Sequence, residues 1–188
     1  MLEKKKILRK IIKVRVSAIS ADEKAKREKL LLDNLFSMPE FLAAKTVMLF
    51  ANLPDEIGTF SLIDKCIAMG KKVFLPVING DDMTVAEFTG EYRVGRYEIK
   101  EPITPNSSLL FHNGHQQVLT PHSIDFILVP GVAFSPNGYR LGRGKGYYDK
   151  FLSKYSNLFT VGVCFREQFY LDIPTEPHDI PMQRVLVI

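Results

Sequence analysis

The chain has 188 residues, 46% apolar and 24% charged, enough to build one substantial core, and no apolar run approaches the roughly 20 residues of a membrane span. Its two cysteines, Cys66 and Cys164, lie far apart without metal-ligand spacing, which fits buried fillers in a reducing, cytoplasmic setting. The net charge of +4 implies a face that attracts anions, whether nucleotide phosphates, polyanionic cofactors or nucleic acid, and does not choose among them.

The N-terminal MLEKKKILRKIIKVRV is basic from its start and never reaches the unbroken apolar run of a signal peptide, while Glu3 and Asp22 argue against a transit peptide. From Lys4 to about Ala18, Ile7, Leu8, Ile11, Ile12 and Val14 follow helical spacing and predict a basic amphipathic helix. Ser20 and Glu23 have capping-box spacing and open a second helix, with Leu31, Leu32, Leu35 and Phe36 among its apolar positions and Pro39 as its stop. Apolar runs at Thr46 to Ala51, Val73 to Val77, Phe126 to Val129, Phe159 to Cys164 and Val185 to Ile188 predict strands buried on both faces, as in a parallel sheet. Phe60 to Met69 reads as the crossover helix of a βαβ unit. Asn79 to about Ser123, rich in glycine and proline, reads as an excursion from the sheet, with Thr84 to Phe88 its clearest strand; His112-Asn-Gly-His115 within it reads as a polar loop, not a metal pair, because no third ligand follows. The expected architecture is α/β: a three-layer α/β/α sandwich with a mostly parallel central sheet, N-terminal helices and a small β-rich excursion, one domain over 1–188.

The segment with the most chemistry runs from Asp125 to Asp149. A strand leads into a loop where Gly142, Gly144 and Gly146 alternate with Arg143 and Lys145, and a helix begins near Tyr147. Glycines without Cβ let backbone N–H groups converge on an anion, the helix dipole points its positive end there, and Arg140, Arg143 and Lys145 add charge. The spacing is neither a Walker A loop, for which Tyr139 and Gly146 stand at the wrong places, nor the dinucleotide G-x-G-x-x-G. These residues therefore predict an anion cradle and leave its ligand open.

Pro130-Gly-Val-Ala-Phe134 followed by Gly138-Tyr-Arg-Leu-Gly-Arg-Gly-Lys-Gly-Tyr-Tyr-Asp149 resembles the signature of 5-formyltetrahydrofolate cyclo-ligases, and further elements match in order. Lys5-Lys-Ile-Leu-Arg9 resembles the family's N-terminal ATP-contacting element, Leu53-Pro-Asp-Glu56-Ile-Gly-Thr59 its substrate-binding turn, Gly95 to Pro102 its Gly-x-Phe/Tyr-Gly-Ile-x-Glu-Pro element, and Glu176-Pro-His178-Asp179 its C-terminal Glu-x-His-Asp. Ser135 stands where Asp is usual, Glu98 where Gly is usual, and Met182-Gln183 where Val-Asp is usual.

The resemblance implies ATP-dependent closure of 5-formyltetrahydrofolate to the methenyl form, by phosphorylation of the formyl oxygen, ring closure and loss of phosphate. It implies Lys145 and Arg143 as catalytic cations, and ATP contacts from Lys5, Lys6, Ile7, Leu8, Arg9, Arg140, Leu141, Gly142, Arg143, Gly144, Lys145, Gly146, Tyr147 and Tyr148. Substrate contacts would come from Ala51, Glu56 and residues Arg143 to Tyr147, with Tyr97 or Tyr147 stacking on the pterin, and Mg²⁺ would be held by Asp149 and Asp179. A cytoplasmic monomer acting on reduced folate and ATP, with no nucleic-acid or membrane partner, is expected. The rival reading of the cradle is a phosphosugar isomerase or coenzyme A-transfer enzyme.

Overall fold

In the computed structural model, which describes residues 1–95, 100–103, 110–112, 115–117, 124–155 and 158–188 (110–112 and 115–117 as backbone alone), the N-terminal pattern forms α1 (Leu2–Ser17). Its buried stripe is narrower than the apolar spacing suggests: Ile12 and Val16 reach the core and Leu8 packs against it, but Ile7, Ile11 and Val14 face outward. Helix α2 (Ala21–Phe36) starts where the Ser20 side chain accepts the Glu23 N–H. Pro39 does more than stop that helix, because it opens α3 (Pro39–Ala43), where its missing N–H costs nothing.

The chain then alternates. Strand β1 (Thr46–Met48), helix α4 (Phe60–Ala68) and β2 (Lys72–Asn79) form the expected βαβ unit, and β3 (Asp82–Glu87) folds back on β2. Two antiparallel pairs follow, β4 (Tyr92–Val94) with β5 (Lys100–Pro102) and β6 (Leu110–His112) with β7 (His115–Gln117). Of the expected polar loop at 112–115, His112 and His115 pair in register at the ends of β6 and β7, and residues 113 and 114 lie outside the described residues. After β8 (Phe126–Val129) come a short hairpin of β9 (Ala133–Phe134) and β10 (Arg140–Leu141), the glycine loop, α5 (Tyr147–Lys154), β11 (Phe159–Cys164) and β12 (Arg184–Val187).

Strand order in the six-stranded sheet is β12-β11-β8-β1-β2-β3, all neighbours parallel except β2 and β3. Two expectations are corrected. The strand predicted at Thr84 to Phe88 belongs to this sheet, because β2 outlasts β1 and its free edge pairs with β3, so the excursion begins only after it. The C-terminal strand is not buried on both faces: β12 is the sheet edge, with Arg184 and Val187 exposed.

Side chains alternate across the sheet. Val47, Leu49, Val73, Leu75, Phe126, Leu128, Val161 and Val163 meet α1 to α4 on one face, and Met48, Phe74, Ile127, Val129 and Cys164 meet Phe151 and Leu152 of α5 on the other. Helices cover both faces, giving three layers. Cys66 and Cys164 fill these cores, and burial pushes their thiols up to about 11 and about 12, so neither is a thiolate at neutral pH.

The β9–β10 hairpin delivers Arg140 to the glycine loop. Its turn holds Gly138 at φ +82°, with the Gly138 carbonyl accepting the Met182 N–H at 2.8 Å, and a Cβ there would lie 2.2 Å from the Met182 carbonyl oxygen. Gly138→Ala should therefore cost about 2 kcal/mol or more of stability, read as a lower denaturant midpoint. An unchanged midpoint would show that the hairpin does not depend on this contact.

Candidate active site

From β1 the chain crosses to β2 on one side, and from β8 it crosses to β11 on the other. Between β1 and β8 the crossovers diverge, and in such sheets the loops leaving the strands' carboxyl ends part to leave a crevice. A cavity of about 550 Å³ lies there, walled by Phe50, Ala51, Leu53 and Glu56 after β1, Pro130 and Gly131 after β8, and Pro76 and Ile78 on β2. The segment Arg140 to Asp149 forms another wall, and Lys5 and Arg9 of α1 together with Glu176, His178 and Asp179 complete the lining.

Gly144 (φ +105°) and Gly146 (φ +69°) adopt left-handed conformations that other residues rarely take, and Gly146 is the N-cap of α5. Gly142 does not; there the missing Cβ makes room, since it would lie 2.9 Å from an Arg140 nitrogen. The loop is braced from outside by Arg9, whose Nε donates to the Gly142 carbonyl at 2.8 Å. Helix α5 is clamped to the β2–β3 turn, where the Tyr147 hydroxyl donates to the Gly80 carbonyl at 3.2 Å and Lys154 pairs with Asp82 at 2.9 Å.

Lys5, Arg9, Arg140, Arg143 and Lys145 give the cavity a cationic lining. Arg140 is buried 2.9 Å from Asp149, but its Nε and Nη2 make no hydrogen bond among the described residues, so the pair is an ion pair by distance without an aligned N–H. Lys145 lies exposed on the loop. Lys5 donates to Glu176 at 2.8 Å and Asp179 at 3.0 Å; burial would lower its pKa, yet these hydrogen bonds and charges outweigh burial and hold it above the usual lysine range. Asp179 also accepts the Glu176 N–H at 2.7 Å, and Asp149 the Ile180 N–H at 3.4 Å, so the two predicted metal ligands flank one stretch of chain.

Apolar side chains, Phe50, Ala51, Leu53, Pro76, Ile78 and Met83, line the same cavity as Glu56. Glu56 accepts the Leu53 N–H at 2.9 Å, and its side chain is only 10% exposed. Burial pushes its carboxyl above the usual glutamate range despite Arg143 and the Leu53 N–H. Arg143 departs from the expectation drawn for it. Its guanidinium is ion-paired to Asp55 at 2.6 Å and Glu56 at 3.0 Å, tying the glycine loop to the β1–α4 turn.

The family model described as the 5-formyltetrahydrofolate cyclo-ligase family matches residues 1–188. The chain belongs to the 5-formyltetrahydrofolate cyclo-ligase family. It is 28% identical to the mouse 5-formyltetrahydrofolate cyclo-ligase over 97% of this chain and 92% of that protein. It is 35% identical to a probable 5-formyltetrahydrofolate cyclo-ligase of Schizosaccharomyces pombe over 76% and 74%. Its fold superposes on the Aquifex aeolicus 5,10-methenyltetrahydrofolate synthetase with a TM-score of 0.81 at 30% identity, covering 97% of this chain and 89% of that one.

Most residues predicted from resemblance to the cyclo-ligase family converge on the cavity: Lys5, Arg9, Ala51, Glu56, Asp149, Asp179 and all of 140–148 line it. Lys6, Ile7 and Leu8 do not. One turn of α1 presents Lys5 and Arg9 to the cavity, which leaves Lys6 and Ile7 outward and Leu8 against the core. Tyr97 and Glu98 lie outside the described residues. The other departures from the family pattern leave the cavity untouched: Ser135 is buried in the β9–β10 turn, Met182 is in the core, and Gln183 accepts the Thr160 N–H at 2.8 Å. Sequence reasoning assigned no role to Asp55, Glu176, Ile78 or Met83, yet all lie in or beside the site. Glu176 stood in a quoted motif and could have been found there; Ile78 and Met83 carry no local signal.

Proposed function

We propose that this protein catalyses the ATP-dependent cyclisation of 5-formyltetrahydrofolate to 5,10-methenyltetrahydrofolate, releasing ADP and phosphate. The observation that carries the reading is a single cavity lined by a cationic glycine loop, apolar side chains and a carboxylate, Glu56, that is only 10% exposed. The triphosphate sits on the loop, at the N-terminus of α5, among Arg140, Lys145, Lys5 and Arg9, and the pterin sits at Glu56 beside Ala51, with Tyr147 placed to stack on it. Lys6, Ile7 and Leu8 support α1 and do not contact ATP.

The formyl oxygen is a weak, amide-like nucleophile, so catalysis depends on holding it in line with the γ-phosphorus and offsetting charge as the phosphoryl group transfers. Its attack forms an O–P bond and expels ADP. The neighbouring amine nitrogen then attacks the formyl carbon, phosphate departs with the former formyl oxygen, and the nitrogen's proton is lost. Lys145 bears on the transferring phosphoryl group, while Arg143 holds Glu56 and closes the loop over the substrate.

Asp149 and Asp179 offer hard oxygen ligands, and Glu176, His178 and Asp179 bring ligand atoms within 4.8 Å of one another. This set suits Mg²⁺, which needs few protein ligands when phosphates and water complete its shell. Bound there, the ion would neutralise phosphate charge. Asp149→Asn should raise the Mg²⁺ concentration for half-maximal turnover roughly tenfold or more; an unchanged titration would remove Asp149 as a ligand.

Acid should weaken folate binding early. Because burial raises the Glu56 carboxyl above its ordinary 4.5, it protonates sooner as pH falls, and a neutral acid accepts pterin donors less well. KM for the folate should rise on acidification with an apparent pKa above 4.5, a limb that Glu56→Gln abolishes. A flat profile in the unaltered protein would contradict this role.

The proposal places the enzyme in the cytoplasm as a monomer of one domain working on small molecules, without a nucleic-acid partner; among the described residues no helix is long and apolar enough to cross a membrane. It is tested by ADP release: one ADP should form per 5-formyltetrahydrofolate consumed, and none without the folate. Folate consumption without ADP would favour a non-ATP enzyme built on the same cradle.

A further inference from the structure

Strand β2 runs past its neighbour. β1 ends at Met48, opposite Phe74, so the edge of β2 beyond Phe74 has no strand beside it on that side. Backbone groups alternate in direction along a strand: the Phe74 carbonyl accepts the Leu49 N–H at 2.9 Å on the β1 side, whereas the Val73 carbonyl accepts the Phe88 N–H at 2.8 Å on the β3 side. Pro76 and Ile78 share the alternation of Phe74, so their backbone groups point to the side that β1 has vacated, and both residues line the cavity. Two N–H groups would be stranded there. Pro76 has none to lose, and Ile78 donates its own to Glu101 Oε1 at 3.1 Å.

Glu101 stands on β5, and its side chain is only 3% exposed. Its Oε2 accepts from Nη2 of Arg93, its partner in register on β4, at 3.3 Å. Gly95 closes the space around the carboxylate. A Cβ on Gly95 would come 2.3 Å from Glu101 Cδ and 2.6 Å from each oxygen, so only glycine leaves this carboxylate where it is. The β4–β5 pair is thereby joined to β2 through one buried side chain.

Burying a carboxylate is costly unless its oxygens are used, and here one of them answers the strand edge that walls the cavity. Glu101 itself is not part of the cavity lining. Its influence on a ligand therefore passes through β2, whose Pro76 and Ile78 offer an apolar surface. The reduced folate, with its flat rings, is the substrate that such a surface suits, while phosphates belong on the cationic glycine loop.

We propose that Glu101 is a positioning residue for the folate: by standing in for the missing strand at Ile78, it fixes the Pro76–Ile78 wall against which the substrate packs. The proposal rests on the folate reading of the cavity given above.

Glu101→Ala strands the Ile78 N–H. KM for 5-formyltetrahydrofolate, and its Kd measured calorimetrically without ATP, should rise about tenfold, the worth of roughly one hydrogen bond. The Kd of a non-hydrolysable ATP analogue with Mg²⁺ should change less than about twofold. Glu101→Gln keeps an oxygen for the Ile78 N–H and should return the folate Kd to within about threefold of normal, even though the charge facing Arg93 is gone. Gly95→Ala leaves Glu101 in the chain but displaces its carboxylate, and should weaken folate binding as Glu101→Ala does. Equal weakening of both ligands, or a lower Tm with normal folate affinity, would make Glu101 merely structural and overturn the proposal. So would a Gln variant no better than Ala, or a Gly95→Ala variant that binds folate normally; these two decide the matter if Glu101→Ala does not fold. If the unaltered protein forms methenyltetrahydrofolate while the variants bind folate normally, this inference alone fails. If the unaltered protein forms no methenyl product, the functional reading fails and takes this one with it.

Discussion

Replacing Lys145 by Ala is expected to lower kcat at least about a hundredfold while leaving Tm within a degree or two. Lys145 stands between the left-handed Gly144 and Gly146, at the mouth of α5, and in the proposed reaction its ammonium would meet the phosphoryl group as charge shifts from the formyl oxygen to ADP. Arg140 is fixed beside Asp149 and Lys5 beside Glu176 and Asp179, so neither can slide over to replace it. Stability is spared because Lys145 is exposed and buries no apolar surface, and substitutions of that kind usually move stability by less than about 0.5 kcal/mol. KM for the folate should change little. Near-normal kcat with a normal Tm would mean that the phosphoryl group lies elsewhere in the cavity.

Glu56→Gln is the second large effect, and it falls on KM. A carboxylate accepts on both oxygens, whereas the amide turns one acceptor into a donor that faces an N–H of the pterin. A buried donor against a donor is the situation in which polar sites discriminate most strongly, and KM for 5-formyltetrahydrofolate should rise roughly a hundredfold or more. Arg143 keeps Asp55 as a partner at 2.6 Å, so the loop should stay closed and KM for ATP should move far less. Removing a desolvated carboxylate should leave Tm unchanged or higher, since its burial opposes the charged form. Unchanged folate KM would show that the acid does not read the substrate.

The layered fold is legible wherever one signal suffices. Runs such as Phe126 to Val129, apolar at every position, mark strands covered on both faces, and all four residues of β8 are buried. The Ser20–Glu23 capping pair marks the start of α2 to the residue. Legibility fails where neighbours decide. Val185 to Ile188 looks like a central strand, but the sheet ends there, and nothing in a strand's own sequence says whether another pairs beyond it. Ile7, Ile11 and Val14 share helical spacing with Ile12, yet the sheet accepts only the stripe that includes Ile12 and Val16.

The site divides the same way. The cradle from Arg140 to Asp149 is local in sequence, so its glycines, charges and following helix can be read together. The partners of its charges are not: Arg143 meets Asp55 and Glu56 across 88 and 87 residues, and Lys5 meets Glu176 and Asp179 across 171 and 174. Spacing rules cannot see such pairs, and only the matching of whole motifs to the family put those segments in one site. Within Lys5 to Arg9 the match does not separate Lys5 and Arg9, which line the cavity, from Lys6, Ile7 and Leu8, which do not.

The most direct test is to mix the purified protein with 5-formyltetrahydrofolate, ATP and Mg²⁺ and to follow methenyltetrahydrofolate by its absorbance. The chromophore should grow only when all three are present, and should not grow when a non-hydrolysable ATP analogue replaces ATP. Product formation without ATP, or no product with ADP accumulating all the same, would contradict a site in which the γ-phosphate is transferred to the formyl oxygen.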